Sequence, residues 1–290
     1  MRKNIFSLLL FIFLISVLPY LNSFAQTSDT SIVYKTVDRL KLKLYVFFPK
    51  NHKNADSDPC IIFFHGGSWI GGTPDQFFGQ SKYLASRGMV AISVQYRIES
   101  LNGTSPIECI KDGKSAIRWV REHASNFGIN PNMIAAGGGS AGGQVAAAAA
   151  LLKAYDEKDE NKTISSKPDA LVLFNPVIDN GPNGYGYDRV KNYWQSFSPM
   201  NNIDSSAPPT LFMVGTRDQY IPTATAKKYQ EIMESFGKRC DLVLYKNQKH
   251  GFFNTGKYYY KTLLQSDKFL TSLGYLKGEP KIRQDVKHQS

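Results

Sequence analysis

The 290-residue sequence predicts an α/β fold, a mostly parallel central β-sheet flanked by helices on both faces, and three observations carry that prediction. Short apolar runs alternate with longer helical segments from Pro59 to the last helix, the alternation expected of β/α units on a parallel sheet. Ile107, Ile110, Ile117, Val120 and Ala124 recur at helical spacing, so one face of that segment packs on a sheet. Gly138, Gly139, Ser140, Ala141 and Gly142 spell GxSxG between an apolar run and an alanine-rich stretch, a strand, a sharp turn and a helix in succession.

The elements follow in order. Ile32 to Val37 and Leu42 to Phe48, ended by Pro49 and the polar stretch from Lys50 to Asp58, read as an opening antiparallel hairpin. Cys60 to Phe64 is a strand, Gln76 to Ser86 a helix and Met89 to Val94 a strand. On the striped helix that follows, Trp119 and Cys109 read as packing residues. Met133 to Ala136 is the strand before the helix that starts at Ala141, where Ala146 to Ala150 permit close packing. Ala170 to Phe174, Thr210 to Val214, a helix over Thr223 to Phe236, Leu242 to Tyr245 and a final helix complete the series. Two segments break the pattern: residues 176–199, rich in Gly, Asn and aromatics, form a small lid-like insertion, and residues 277–290 a polar tail expected to be disordered.

The remaining residues bound the partners. Met1, Arg2 and Lys3 precede an apolar run from Ile5 to Leu18, and Ser23, Phe24 and Ala25 precede Gln26, the parts of a signal peptide over residues 1–25. The run is shorter than the roughly 20 residues a bilayer span needs. Cleavage after Ala25 and a secreted or periplasmic location are expected, with no stable membrane insertion afterwards. The main domain is then residues 26–276. The chain carries a formal net charge of +11, but its lysines are dispersed, which reads as a solvated surface and not as a nucleic-acid site. Cys60, Cys109 and Cys240 lack metal-ligand spacing and read as buried, with one disulfide left open.

A serine on a strained strand-to-helix turn needs glycines beside it, and the helix N-terminus favours developing negative charge there. Its base must be a histidine. His52 lies in a polar loop, His123 near a helix end, His288 in the tail and His65 in the run His65, Gly66, Gly67 that closes a strand. Only His250, after the last strand, fits the chain order Ser, acid, His. Asp218, in the loop after Thr210 to Val214, is the candidate acid; Asp179 is its competitor, while Asp241 opens a strand and reads as structural.

HGGSW at His65 to Trp69, GGGSAGG at Gly137 to Gly143 and HGFF at His250 to Phe253 resemble the serine esterases of the α/β-hydrolase fold, specifically the hormone-sensitive-lipase-like and carbohydrate (acetyl xylan) esterase groups, over residues 35–275. The resemblance implies a triad of Ser140, Asp218 and His250. It implies an oxyanion hole from the N–H groups of Gly66, Gly67 and Ala141, and His65 as support for that loop. Ser68 stands where many members have a third glycine, which leaves open which donor dominates. No cofactor and no metal are implied. The expected activity is hydrolysis of small acyl esters, extending to acetylated polysaccharide, with Trp69, Tyr185, Tyr187 and Trp194 as residues that could meet substrate. The HGGxW form also resembles kynurenine formamidases, and a catalytically silent binding protein on the same scaffold is the further alternative.

Overall fold

The computed structural model describes residues 27–282. The leader read over residues 1–25 and the end of the tail read over 277–290 lie outside them. Eight strands form one sheet: β1 (Thr30–Val37), β2 (Leu40–Phe47), β3 (Asp58–Phe64), β4 (Val90–Val94), β5 (Ile129–Gly139), β6 (Ala170–Phe174), β7 (Thr210–Gly215) and β8 (Cys240–Tyr245). Their order is β1-β2-β4-β3-β5-β6-β7-β8. β1 and β2 form the antiparallel hairpin, β2 meets β4 antiparallel, and every later pairing is parallel.

Side chains alternate across the sheet and build two cores. Ile62, Phe64, Leu171, Leu173, Phe212 and Val214 face one side, where they meet α2 (Pro106–Glu122), α3 (Ala141–Leu151) and α4 (Thr223–Ser235). Ile61, Phe63, Val172, Phe174, Leu211 and Met213 face the other, under α1 (Phe78–Ser86) and α5 (Gly256–Ser272). Each such fully buried side chain contributes about 1.5–3 kcal/mol of transfer free energy. The striped helix is α2, with Ser105 as N-cap, Glu108 completing a capping box and Pro106 in its first turn; these devices fix its start. Gly113 lets it touch α3, because a Cβ there would meet Val145 Cγ1 at 2.3 Å.

β5 runs past the expected end at Ala136 to Gly139, directly before Ser140. Glycine disfavours strands, but here it is required. A Cβ on Gly137 would meet Val172 O at 2.6 Å, and one on Gly139 the Phe253 ring at 2.4 Å.

Charge anchors the long connection from α3 to β6, residues 152–169. Asp112, fully buried on α2, accepts hydrogen bonds from the Arg97 backbone, the Arg97 guanidinium and Lys35 Nζ, while Glu157 pairs with the same two cations. Lys114 Nζ donates to Leu152 O, Ala154 O and Asp156. Losing one partner from such a buried network typically costs 3–5 kcal/mol. At the other end of the chain, Arg87 joins Asp267 at 2.7 Å and reaches Gly278 O at 2.9 Å, so the start of the tail lies against α1 and α5. Cys60, Cys109 and Cys240 are buried free thiols. Among the described residues no helix is long and apolar enough to cross a membrane.

Candidate active site

The parallel strands bring four loops together at their carboxyl ends. The first is the turn that carries Ser140. Ser140 adopts φ 53° and ψ −119° between β5 and α3, a conformation that costs on the order of 1–3 kcal/mol and persists only where its surroundings enforce it. Ser140 N donates to Phe174 O at 3.0 Å and Val177 N to Ser140 O at 3.1 Å, which bind the turn to β6. The flanking glycines are steric necessities: a Cβ on Gly142 would lie 2.1 Å from Phe64 O and 2.3 Å from His65 O, and one on Gly138 2.6 Å from Phe64 O.

The second and third loops follow β7 and β8. His250 Nε2 lies 2.8 Å from Ser140 Oγ, and His250 Nδ1 lies 2.8 Å from Asp218 Oδ2. The Asp218 carboxylate is buried, and its other oxygen accepts from the Tyr220 and Ile221 N–H groups at 2.9 and 3.0 Å. The two loops touch where Arg217 N donates to Gln248 O; a Cβ on Gly215 would collide with that carbonyl at 2.2 Å. Asp179, the competing acid, is occupied elsewhere and caps Gly181 N at 2.8 Å.

The fourth component is the loop after β3. His65 is buried, stacks on Tyr96 at 4.2 Å and bonds Gly66 O through Nδ1 at 2.8 Å. Burial lowers its pKa to about 4, so the ring stays neutral near pH 7 and props the loop. Gly66 departs from the expectation that it donates into an oxyanion hole: its N–H is bonded to Gln76 Oε1 at 2.6 Å. The N–H groups of Gly67, Ser68 and Ala141 carry no hydrogen bond among the described residues. A Cβ on Gly66 would lie 3.4 Å from the Ser140 Cβ, so this loop runs directly beside Ser140.

The insertion over residues 176–199 closes one side, with Val177, Ile178, Val190 and Phe197 sunk into the core. Trp69, expected as a substrate contact, instead serves packing. It is 0% exposed, donates Nε1–H to Gln144 Oε1 at 3.2 Å and lies between Tyr185 and Phe197. Tyr185 is at the site: its hydroxyl lies 2.6 Å from Ser68 Oγ, and its ring meets Tyr220 edge-on. Tyr187 sits in the single-turn helix Tyr187–Val190, half-buried, and Trp194 packs beside Gly181; among the described residues neither forms a hydrogen bond with Ser140 or His250. Arg189 donates to Ser68 O and pairs with Glu99, holding the loop of Ser68 and Trp69, both of which have positive φ.

Sequence reasoning missed several neighbours of the triad. Tyr220, 45% exposed, meets the His250 ring edge-on at 5.0 Å. Buried Asn175, at φ 36°, accepts from Gly251 N at 3.1 Å and brings Nδ2 within 3.5 Å of His250 Nε2. Their sequence signals were position alone, Tyr220 two residues after the acid and Asn175 at the end of β6. Away from this site, His52 and Asp56 of the β2–β3 loop cluster with Asp58 at the start of β3. The His52 nitrogens bond Asp58 at 2.9 Å and Phe127 O at 2.8 Å, which fits a loop anchor better than a metal ligand set.

Comparison with known proteins finds relatives of this fold. The family model described as BD-FAE matches residues 44–184, and that of the prolyl oligopeptidase family matches residues 164–273. Among solved structures, the apo form of Thermogutta terrifontis esterase 2 is 40% identical at a TM-score of 0.83, covering 86% of this chain and 96% of that chain. The propionate-bound form of that esterase is 38% identical at the same TM-score, covering 88% and 97%. Among curated proteins, Esterase LipC of Mycobacterium tuberculosis is 28% identical over 201 residues, 62% of this chain and 49% of that protein. A probable isoprenylcysteine alpha-carbonyl methylesterase of Arabidopsis thaliana is 24% identical over 259 residues, 80% of this chain and 52% of that protein. The chain thus spans about half the length of the curated relatives it matches.

Proposed function

As the chain belongs to the serine esterases of the α/β-hydrolase fold, we propose that it hydrolyses small carboxylic esters, acetyl esters foremost, through an acyl-enzyme on Ser140. The observation that carries this reading is the unbroken hydrogen-bonded line from Ser140 Oγ through His250 to Asp218, with both distances at 2.8 Å. His250 Nε2 takes the proton of Ser140 as Oγ bonds to the substrate carbonyl carbon. Asp218 holds the tautomer and stabilises the imidazolium. The new oxyanion accepts from Ala141 N–H and from the N–H groups of Gly67 and Ser68, the donors left unengaged; each is worth about 3–4 kcal/mol in the transition state. The alcohol then leaves with the proton from His250. Water, activated by the same ring, attacks the acyl carbon and releases the acid and Ser140.

The alcohol is read as part of an acetylated polysaccharide outside the cell. Tyr220 and Tyr185 support this, since their aromatic surfaces lie beside His250 and Ser68, where a sugar ring could stack. The leader over residues 1–25 supports export. Mature protein starting at Gln26 and a Ser140→Ala variant, assayed on p-nitrophenyl acetate, p-nitrophenyl butyrate and acetylated xylan, test both parts. The variant is expected to lose about 10⁴-fold or more in kcat/KM on every ester, and the parent to release acetate from xylan. Turnover only of the aryl esters would remove the polysaccharide reading; equal rates for parent and variant would remove Ser140.

A further inference from the structure

The loop after β3 and the loop that carries His250 are separate in sequence, yet the proposed reaction needs both fixed relative to Ser140. A line of side-chain amides joins them. Gly66 N donates to Gln76 Oε1 at 2.6 Å, Gln76 Nε2 donates to Asn254 Oδ1 at 3.1 Å, and Asn254 Nδ2 donates to Gly251 O at 3.0 Å. Gly251 N in turn donates to Asn175 Oδ1 at 3.1 Å, and Asn175 N donates to Met213 O at 2.6 Å, which ties the line to the sheet. The backbone groups dictate the orientation of every amide in it. Gly66 N–H and Gly251 N–H require an oxygen opposite them and Gly251 C=O requires an N–H, so Gln76 and Asn254 can meet only as drawn.

Packing reinforces the same junction. Phe77 and Phe253, the neighbours of Gln76 and Asn254, stack at 5.8 Å with planes 20° apart, and Phe253 lies under Gly139. The line also explains why Gly66 is withdrawn from oxyanion duty: its N–H is the attachment point. We propose that Gln76, Asn254 and Asn175 are positioning residues, whose amides set the Gly67–Ser68 donors and His250 in mutual register across Ser140.

This inference rests on the acyl-transfer reading of Ser140. Because Gln76 and Asn254 are half-buried and exposed, their hydrogen bonds add little stability, whereas sub-ångström misplacement of catalytic groups costs rate steeply. The test is a double-mutant cycle on Gln76→Met and Asn254→Ala with p-nitrophenyl acetate, beside Ser140→Ala and with the melting temperature of each variant. Gln76→Met is expected to lower kcat about tenfold with KM within twofold and the melting temperature nearly unmoved. Adding Asn254→Ala is expected to cost little more, since the line is already broken. Parental kcat in Gln76→Met, or independent additive losses from the two changes, would overturn the proposal while an inactive Ser140→Ala leaves the acyl-transfer reading standing. Full activity in Ser140→Ala would remove that reading itself.

Discussion

The nucleophile turn and the insertion beside it are both built around Ser140, but by opposite means. The turn is a backbone device: Ser140 sits at φ 53°, and the glycines around it are needed because carbonyls of β3 and its loop approach within a side chain's width. The insertion is a side-chain device. Tyr185 reaches Ser68, Arg189 holds Ser68 O, and Trp69 is locked between the insertion and Gln144. A backbone device leaves a motif, because only glycine satisfies it. A side-chain device leaves none, because many residues can fill a space or supply a hydroxyl. A local requirement is therefore written in the sequence of the first region, whereas the contacts of the second emerge only in the fold.

This contrast breaks most readily in the turn. Gly142→Ala places a Cβ 2.1 Å from Phe64 O and 2.3 Å from His65 O, two backbone atoms that cannot yield without moving β3 away from Ser140. We expect at least about a hundredfold loss of kcat/KM on p-nitrophenyl acetate in whatever protein folds, checked against circular dichroism of the same sample. Near-parental rates would mean that the turn tolerates displacement.

The insertion side is expected to respond less, and in two distinct ways. Trp69→Phe removes the donor to buried Gln144 Oε1 and leaves a void, a loss of about 2–4 kcal/mol in urea unfolding, with KM for p-nitrophenyl acetate unchanged within twofold. A raised KM without a loss of stability would restore Trp69 as a substrate contact. Tyr185→Phe removes only a hydroxyl at a half-buried position. It should leave stability within about 1 kcal/mol and change KM a few-fold for esters of bulky polar alcohols, while p-nitrophenyl acetate is indifferent.

The same contrast governs what could be read in the sequence. The parallel sheet, the order of its elements and the positions of Ser140, Asp218 and His250 were legible, because apolar runs, helical stripes and a glycine-framed serine each follow from a local physical requirement. The preference for Asp218 over Asp179 needed only the strand order, and the loop geometry accords with it, since Asp179 turns back on Gly181. The glycine run of β5 was not legible as strand, because its fitness there depends on Val172 and Phe253, far away in sequence. Gly66 was read as a donor because the motif identifies the loop but not which N–H is spent on Gln76. Trp69 was read as a binding residue because aromatic residues near a site look alike in sequence, whether buried or open. The network of Lys35, Arg97, Asp112 and Glu157 was invisible for a related reason: four charged residues spread over 122 positions acquire meaning only when the fold brings them together.

The central claim is that Ser140, activated by His250, forms the covalent intermediate. Its most direct test is intact-protein and peptide mass spectrometry after treatment with a fluorophosphonate, which phosphonylates an activated serine far faster than an unactivated one. The account predicts one adduct per chain, located on the peptide containing Ser140, loss of esterase activity in proportion to labelling, and no adduct in Ser140→Ala. Labelling on another residue, or activity that survives complete modification of Ser140, would contradict it.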